Sequence, residues 1–174
     1  VQVRNGDIRY EGKAGVQSAA LEVYGQITSP GGKVVKRFED VVSRDIPDSL
    51  FASAQNLQSI YQKVVPLAPG LYRLDIVIRD QQSGNIGTEG VALRVPRFDE
   101  EKLDASSLII ADQIEPATSR EIGADRFLLN SYKVRPRLSQ EYSGADNLGI
   151  FLQLYNLKLD DATHKTNLTV TYRI

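Results

Sequence analysis

Residues 71–79, Leu-Tyr-Arg-Leu-Asp-Ile-Val-Ile-Arg, alternate apolar and polar side chains. Tyr72, Leu74, Ile76 and Ile78 fall on one face, and Arg73, Asp75 and Arg79 on the other, with Val77 among them. A period of two predicts a strand with one buried face. Residues 91–95 repeat it with Val91, Leu93 and Val95, and Pro96, which has no backbone donor, stops that strand. Upstream, Leu21, Val23 and Ile27 share a face of 19–28, and the turn signal Ser29-Pro30-Gly31-Gly32 leads into 33–42, so a hairpin is expected. Residues 58–65 read as a further strand. Leu50, Ala54, Leu57 and Tyr61 also fit a helical stripe, predicting a short helix or irregular loop at about 48–55 with Asp48 or Ser49 placed to cap it.

A proline followed by acidic residues, in Val-Pro-Arg-Phe-Asp-Glu-Glu-Lys-Leu-Asp (95–104), marks a module boundary near residue 99. Beyond it, 108–111 reads as a strand and 115–126 as a polar loop in which Thr118 and Glu121 have capping-box spacing. Residues 148–159 are apolar on both faces: Leu148, Ile150, Leu152 and Leu154 form one row, and Phe151, Tyr155, Leu157 and Leu159 the other. Such a strand is covered on both sides or faces a partner. A turn at 160–165 follows, then an alternating strand at 167–174. Many short strands and almost no helical periodicity predict an all-β chain of tandem immunoglobulin-like (Greek-key) β-sandwich modules. The expected division is 1–98, a linker at 99–105, and a second module at 106–174.

Leu67-Ala68-Pro69-Gly70-Leu71-Tyr72 places a tight turn before a tyrosine that opens the clearest strand. This is the pattern of a tyrosine corner, whose phenol oxygen bonds back to nearby backbone. It assigns Tyr72 to stability.

Composition narrows the function classes. The chain has 174 residues, 41% apolar and 25% charged, enough to bury a core. With 21 basic and 22 acidic residues the net charge is −1, which gives no electrostatic reason to expect a nucleic acid. There is no cysteine, which excludes disulfides and thiol chemistry. There is no methionine, which fits a mature or trimmed piece of a larger protein. No apolar run of roughly 18 residues predicts a membrane helix.

The sequence offers no candidate catalytic, cofactor-binding or metal-binding residues and implies no cofactor. The single histidine, His164, lies in a polar turn and reads as an exposed turn residue. No nucleophile elbow or phosphate loop is present. Asp99-Glu100-Glu101 and Asp160-Asp161 are acidic clusters without EF-hand spacing, read as solvated loops. Asn167-Leu168-Thr169 has the form of a glycosylation sequon.

The stretches YGQITSPGGKVVKRFED (24–40), YQKVVPLAPGLYRLDIVIRDQQSGNIGT (61–88), VALRVPRFDEEKLDASSLIIADQIE (91–115) and LGIFLQLYNLKLDDATHKTNLTVTYRI (148–174) resemble one region of large secreted acidobacterial proteins. Those proteins are called GWxTD domain-containing or von Willebrand factor A-related. The Gly-Trp-x-Thr-Asp motif itself is absent, as is any tryptophan. The resemblance implies export to the periplasm, outer-membrane surface or beyond, and a binding or scaffolding role.

Within that frame, the second module ends before a corner and closing strands of its own. Three explanations stand: a trimmed chain, a smaller sandwich using 106–114 and 127–142, or strands supplied by another chain through β-strand addition near 148–174. The expected function is a non-catalytic structural or protein-interaction module of an exported bacterial protein, in a surface assembly with a protein partner or with itself. The alternatives are a carbohydrate-binding module, disfavoured by 7% aromatics and no tryptophan, and an accessory domain of a larger secreted enzyme.

Overall fold

The structure, a computed structural model, describes residues 1–118, 128–139, 142–171 and 173. It is all-β and sandwich-like, with 49% of residues in strands and 6% helical. The chain divides into two compact units, Val1–Arg97 and Phe98–Ile174.

Unit 1 contains β1 (Gln2–Arg4), β2 (Glu11–Lys13), β3 (Val16–Thr28), β4 (Val34–Pro47), the helix α1 (Asp48–Ala54), β5 (Gln58–Ile60), β6 (Gly70–Asp80) and β7 (Ile86–Val95). The main sheet is antiparallel. β3 pairs with β4 on one side and with β2 and β6 on the other, and β7 pairs with β6. The expected turn at Ser29–Gly32 is formed: Gly32 sits at φ 80°, a left-handed value open to glycine, and its N–H donates to Ser29 O at 2.9 Å.

The register puts Val23, Gly25 and Ile27 of β3 in one inner row with Ile78, Ile76 and Leu74 of β6. Val23 and Ile27 are buried almost completely, each contributing about 2 kcal/mol relative to exposure. Gly25 lies opposite Phe38, and a Cβ at residue 25 would stand 2.0 Å from the Phe38 ring. Glycine is there because the ring fills the space. The outer row carries charge, as in the Arg79–Glu22 ion pair at 3.7 Å.

A second, two-stranded layer is made by β1 and β5. Asn5, fully buried, ties this layer down. Its Nδ2 donates to Ala54 O at 2.8 Å, and its Oδ1 accepts from Ser59 Oγ at 2.5 Å. Ile8, Tyr10, Ala19, Ile46 and Ala54 form the core cluster beside it, with the Tyr10 and Phe51 rings edge-on at 5.1 Å.

Two expectations in unit 1 are corrected. The strand expected at 58–65 ends at Ile60. Residues beyond it turn instead toward β4, where Tyr61 and Lys63 both bond Asp40, and Pro66 has no donor to offer a ladder. The helix over 48–54 is present, but neither Asp48 nor Ser49 caps it. The N-cap position is Pro47, and the Asp48 carboxylate accepts from Gln17 Nε2 at 2.8 Å.

Unit 2 contains β8 (Asp104–Ala105), β9 (Ile109–Pro116), β10 (Leu128–Leu129), β11 (Tyr132–Pro136), β12 (Gly149–Phe151) and β13 (Leu154–Tyr155). One sheet has the order β10-β11-β9-β12, and β13 pairs with β8 separately. Among its described residues Ala111 and Val134 are the most deeply buried. The expected linker at 99–105 carries structure: Asp104 and Ala105 are β8, and the Phe98 ring meets Tyr155 edge-on at 5.1 Å. The strand expected at 108–111 runs on to Pro116.

The continuous strand expected at 148–159 is two short strands in different sheets. Gln153 breaks it by pairing with Ser106, donating to Ser106 Oγ at 2.9 Å while its carbonyl accepts from Ser106 N–H at 2.8 Å. Asn156 then adopts φ 58°. The strand expected at 167–174 is absent over 167–171 and 173. Glu121 of the capping-box pair, most of the 115–126 loop, and Tyr172 and Ile174 lie outside the described residues.

Candidate interaction surface

The two sheets of unit 1 do not cover each other evenly. Over β4 and β3 the inner row is screened by Tyr61 and Lys63, whose ammonium lies 5.9 Å from the Phe38 ring centre. Burial comes first in raising the Tyr61 hydroxyl above its ordinary pKa, and its bond to Asp40 adds to it. Bonds from Tyr61 and then Lys63 hold the Asp40 carboxyl below its ordinary value.

Over β6 and β7 the cover is thin. β1 stands across an open groove of about 530 Å³ lined by Val1, Val3, Ile76, Ile78, Glu89 and Val91 among others. Every residue of β7 from Ile86 to Ala92 is exposed. β7 is also an edge, paired on one side by β6 and, among the described residues, by nothing on the other. The register places Gly87, Glu89 and Val91 in the inner row, opposite Ile78, Ile76 and Leu74.

In unit 2 exposed apolar side chains occur along the described length, Leu103, Leu108, Leu138, Leu148 and Leu152 among them, and four follow β13. Leu157, Leu159, Leu168 and Val170 are all exposed, Val170 at 59%. They flank a turn that is fully formed. Asp160 Oδ1 accepts from the Ala162 and Thr163 N–H groups at 3.1 and 2.8 Å and from Thr163 Oγ1 at 2.9 Å. Asp160 N–H donates to Lys165 O at 2.9 Å. The bonds from Thr163, then Ala162, hold the Asp160 carboxyl below its ordinary pKa. Residues 166–171 then leave the turn without joining any sheet among the described residues.

Tyr72 Oη donates to Ala68 O at 2.9 Å, closing the expected corner. His164 holds the left-handed position of the 160–165 turn at φ 51°. Asp160 is a turn residue, and Asp161 beside it is exposed. Asp99 pairs with Lys102 at 2.7 Å and accepts from Glu101 N–H. Asn167 is exposed. Among the described residues no group of three or more His, Asp or Glu side chains is placed to hold a metal ion, and no helix is long and apolar enough to cross a membrane.

Sequence reasoning missed the groove, because a period of two says which residues face inward and not whether a second layer reaches them. The two glycines of β7, Gly87 in its inner row and Gly90 in its outer row, were the available signal. No family model, curated protein or solved structure matches this chain.

Proposed function

We propose that the chain is a non-catalytic structural or protein-interaction module that joins other chains by β-strand addition. The observation that carries this reading is the segment after Asp160. It leaves a formed turn, alternates apolar and polar residues, and keeps Leu168 and Val170 exposed, paired with no strand among the described residues. An unpaired alternating segment is matched to a sheet edge, where its backbone groups find partners and its apolar row finds cover.

The exported, bacterial setting rests on the resemblance of 24–40, 61–88, 91–115 and 148–174 to secreted acidobacterial proteins. Assembly on a cell surface follows from the same resemblance.

Amide hydrogen exchange tests the interaction reading. In dilute protein the amides of 166–171 should exchange as in an open chain. At high concentration, or with a physiological partner, they should gain protection of about tenfold or more. Unchanged exchange under both conditions would count against strand addition by this segment.

A further inference from the structure

The chain contains one Asn-Gly dipeptide, Asn5-Gly6. In an open chain such a pair modifies itself. The glycine nitrogen attacks the side-chain carbonyl carbon of the asparagine, and the new C–N bond closes a cyclic imide. The amide nitrogen leaves as ammonia, taking up the proton that the glycine nitrogen loses. Water then opens the imide at either carbonyl, giving an aspartate or an isoaspartate. Glycine favours the attack because no side chain shields its nitrogen.

In the folded chain every group in that reaction is held. Asn5 is fully buried in the short turn Asn5–Asp7 after β1, where bulk water does not reach it. The attacking nitrogen, that of Gly6, donates to Gln55 O at 3.0 Å, and Asn5 N–H donates to Leu57 O at 3.0 Å. The leaving nitrogen, Asn5 Nδ2, donates to Ala54 O at 2.8 Å. The carbonyl under attack accepts from Ser59 Oγ at 2.5 Å. All four partners lie in one segment, 54–59. Gly6 also has a packing reason to be glycine, since a Cβ there would stand 3.2 Å from Gln55 O.

The products do not fit the place they come from. A carboxylate at position 5 has no N–H for Ala54 O, and its charge would be buried with only the Ser59 hydroxyl to serve it. An isoaspartate adds a carbon to the main chain, so the N–H groups of positions 5 and 6 can no longer meet Leu57 O and Gln55 O together.

The structure assigns Asn5-Gly6 as a self-modification site gated by the β1–β5 layer: when residues 1–7 part from 54–59 the imide forms, and a reversible opening becomes permanent. Val1 and Val3 wall the groove beside β6 and β7, so the permanent opening bares Ile76, Ile78 and Val91. The site does not depend on strand addition by 166–171.

Peptide mass mapping during incubation in mildly alkaline buffer tests the gate. In urea Asn5 should be the first asparagine of the chain to convert. In the folded protein its conversion should slow by at least about a hundredfold, the factor by which the opened layer is under-populated. Amide exchange at Gly6 should slow by a similar factor, because one opening governs both. Ser59→Ala removes a donor to Asn5 and touches neither reacting residue, and it should speed both by about tenfold. Equal rates in folded protein and in urea, or a Ser59→Ala rate equal to wild type, would overturn the gate.

The latch is tested on protein converted in urea and returned to buffer. Its β1 and β5 amides should stay unprotected while those of β3 and β6 regain protection. Asn5→Asp, which carries the carboxylate with every other asparagine intact, should show the same pattern. Protection restored on β1 and β5 in both, or lost throughout unit 1 in both, would overturn a local, permanent opening.

Discussion

The loops that begin at Asp80 and Asp160 use the same hydrogen bonds. In each, the carboxylate accepts from the N–H groups two and three residues on: Gln82 and Ser83 in one, Ala162 and Thr163 in the other. In each, the residue four on is left-handed, Gly84 at φ 73° and His164 at φ 51°, and donates to the aspartate carbonyl at 2.8 Å. In each, the aspartate N–H closes the loop at 2.9 Å, onto Asn85 O or Lys165 O. Past the first loop, β6 and β7 pair from Arg79–Ile86 to Gly70–Val95. Past the second, 166–171 join no sheet among the described residues.

The difference lies in what surrounds the arms. β6 runs beside β3, whose buried row fixes its register. Asp80 is itself buried, and its Oδ2 accepts from Arg9 N–H at 2.8 Å. The arm before Asp160 is turned away at Asn156, whose Nδ2 donates to Asp99 O and Lys102 O at 2.9 and 3.1 Å. A four-residue loop can be specified locally, whereas a ladder needs a neighbour in register.

The largest break should come from β3. Gly25→Val would force a side chain into the Phe38 ring, at a cost of about 3 kcal/mol. Chemical denaturation should show this as a lower unfolding midpoint, and β6–β7 amides should lose protection with it. A midpoint equal to wild type would mean the Gly25–Phe38 contact does not support β6.

Asp80→Asn comes next. It replaces one of the two acceptor oxygens by an amide donor, so that either Arg9 N–H or the N–H groups of Gln82 and Ser83 face a donor. The cost should be about 2 kcal/mol by equilibrium unfolding.

Acid should act on the same group. Burial pushes the Asp80 carboxyl up, but the N–H of Arg9, the Ser83 side chain and the N–H groups of Gln82 and Ser83 together hold it below the ordinary 3.8. The folded value is thus depressed. Its stabilisation is complete above 3.8 and is lost as pH falls through the folded value. Urea midpoints measured downward from pH 5 should fall more steeply for wild type than for Asp80→Asn. Parallel curves would remove Asp80 from the acid response.

Much of unit 1 was legible because its signals are local and repeated. The 71–79 alternation, the Ser29–Gly32 turn and the Tyr72 corner each specify their own geometry. What failed were segments whose state depends on distant partners. Residues 61–65 look like a strand, but Tyr61 and Lys63 are held by Asp40. Residues 148–159 look like one strand, but Ser106 and the carbonyls of Asp99 and Lys102 take them at Gln153 and Asn156. The groove beside β7 was illegible for the same reason: it is defined by how far β1 and β5 reach.

Tyr72→Phe probes the far end of the first hairpin. Tyr72 lies eight residues before Asp80, and the residue eight before Asp160 is Leu152, which has no hydroxyl to make a corner. Losing the bond to Ala68 O should cost about 1 kcal/mol in a thermal melt. An unchanged melt would show that the first hairpin is held by β3 alone.

Asp160→Ala should have the smallest global effect and the most informative local one. Asp160 is exposed, and among the described residues its carboxylate is bonded only within its own loop. The melting of the chain should therefore stay as in wild type. The amides of Ala162 and Thr163, which lose their acceptor, should exchange faster, while those of Gln82 and Ser83 in the other loop should not change. If strand addition depends on the turn presenting the arm, the variant should also assemble at higher concentration than wild type, although Leu168 and Val170 are untouched. Unaltered assembly with a loosened loop would show that the arm docks by its own sequence and that the turn only connects it.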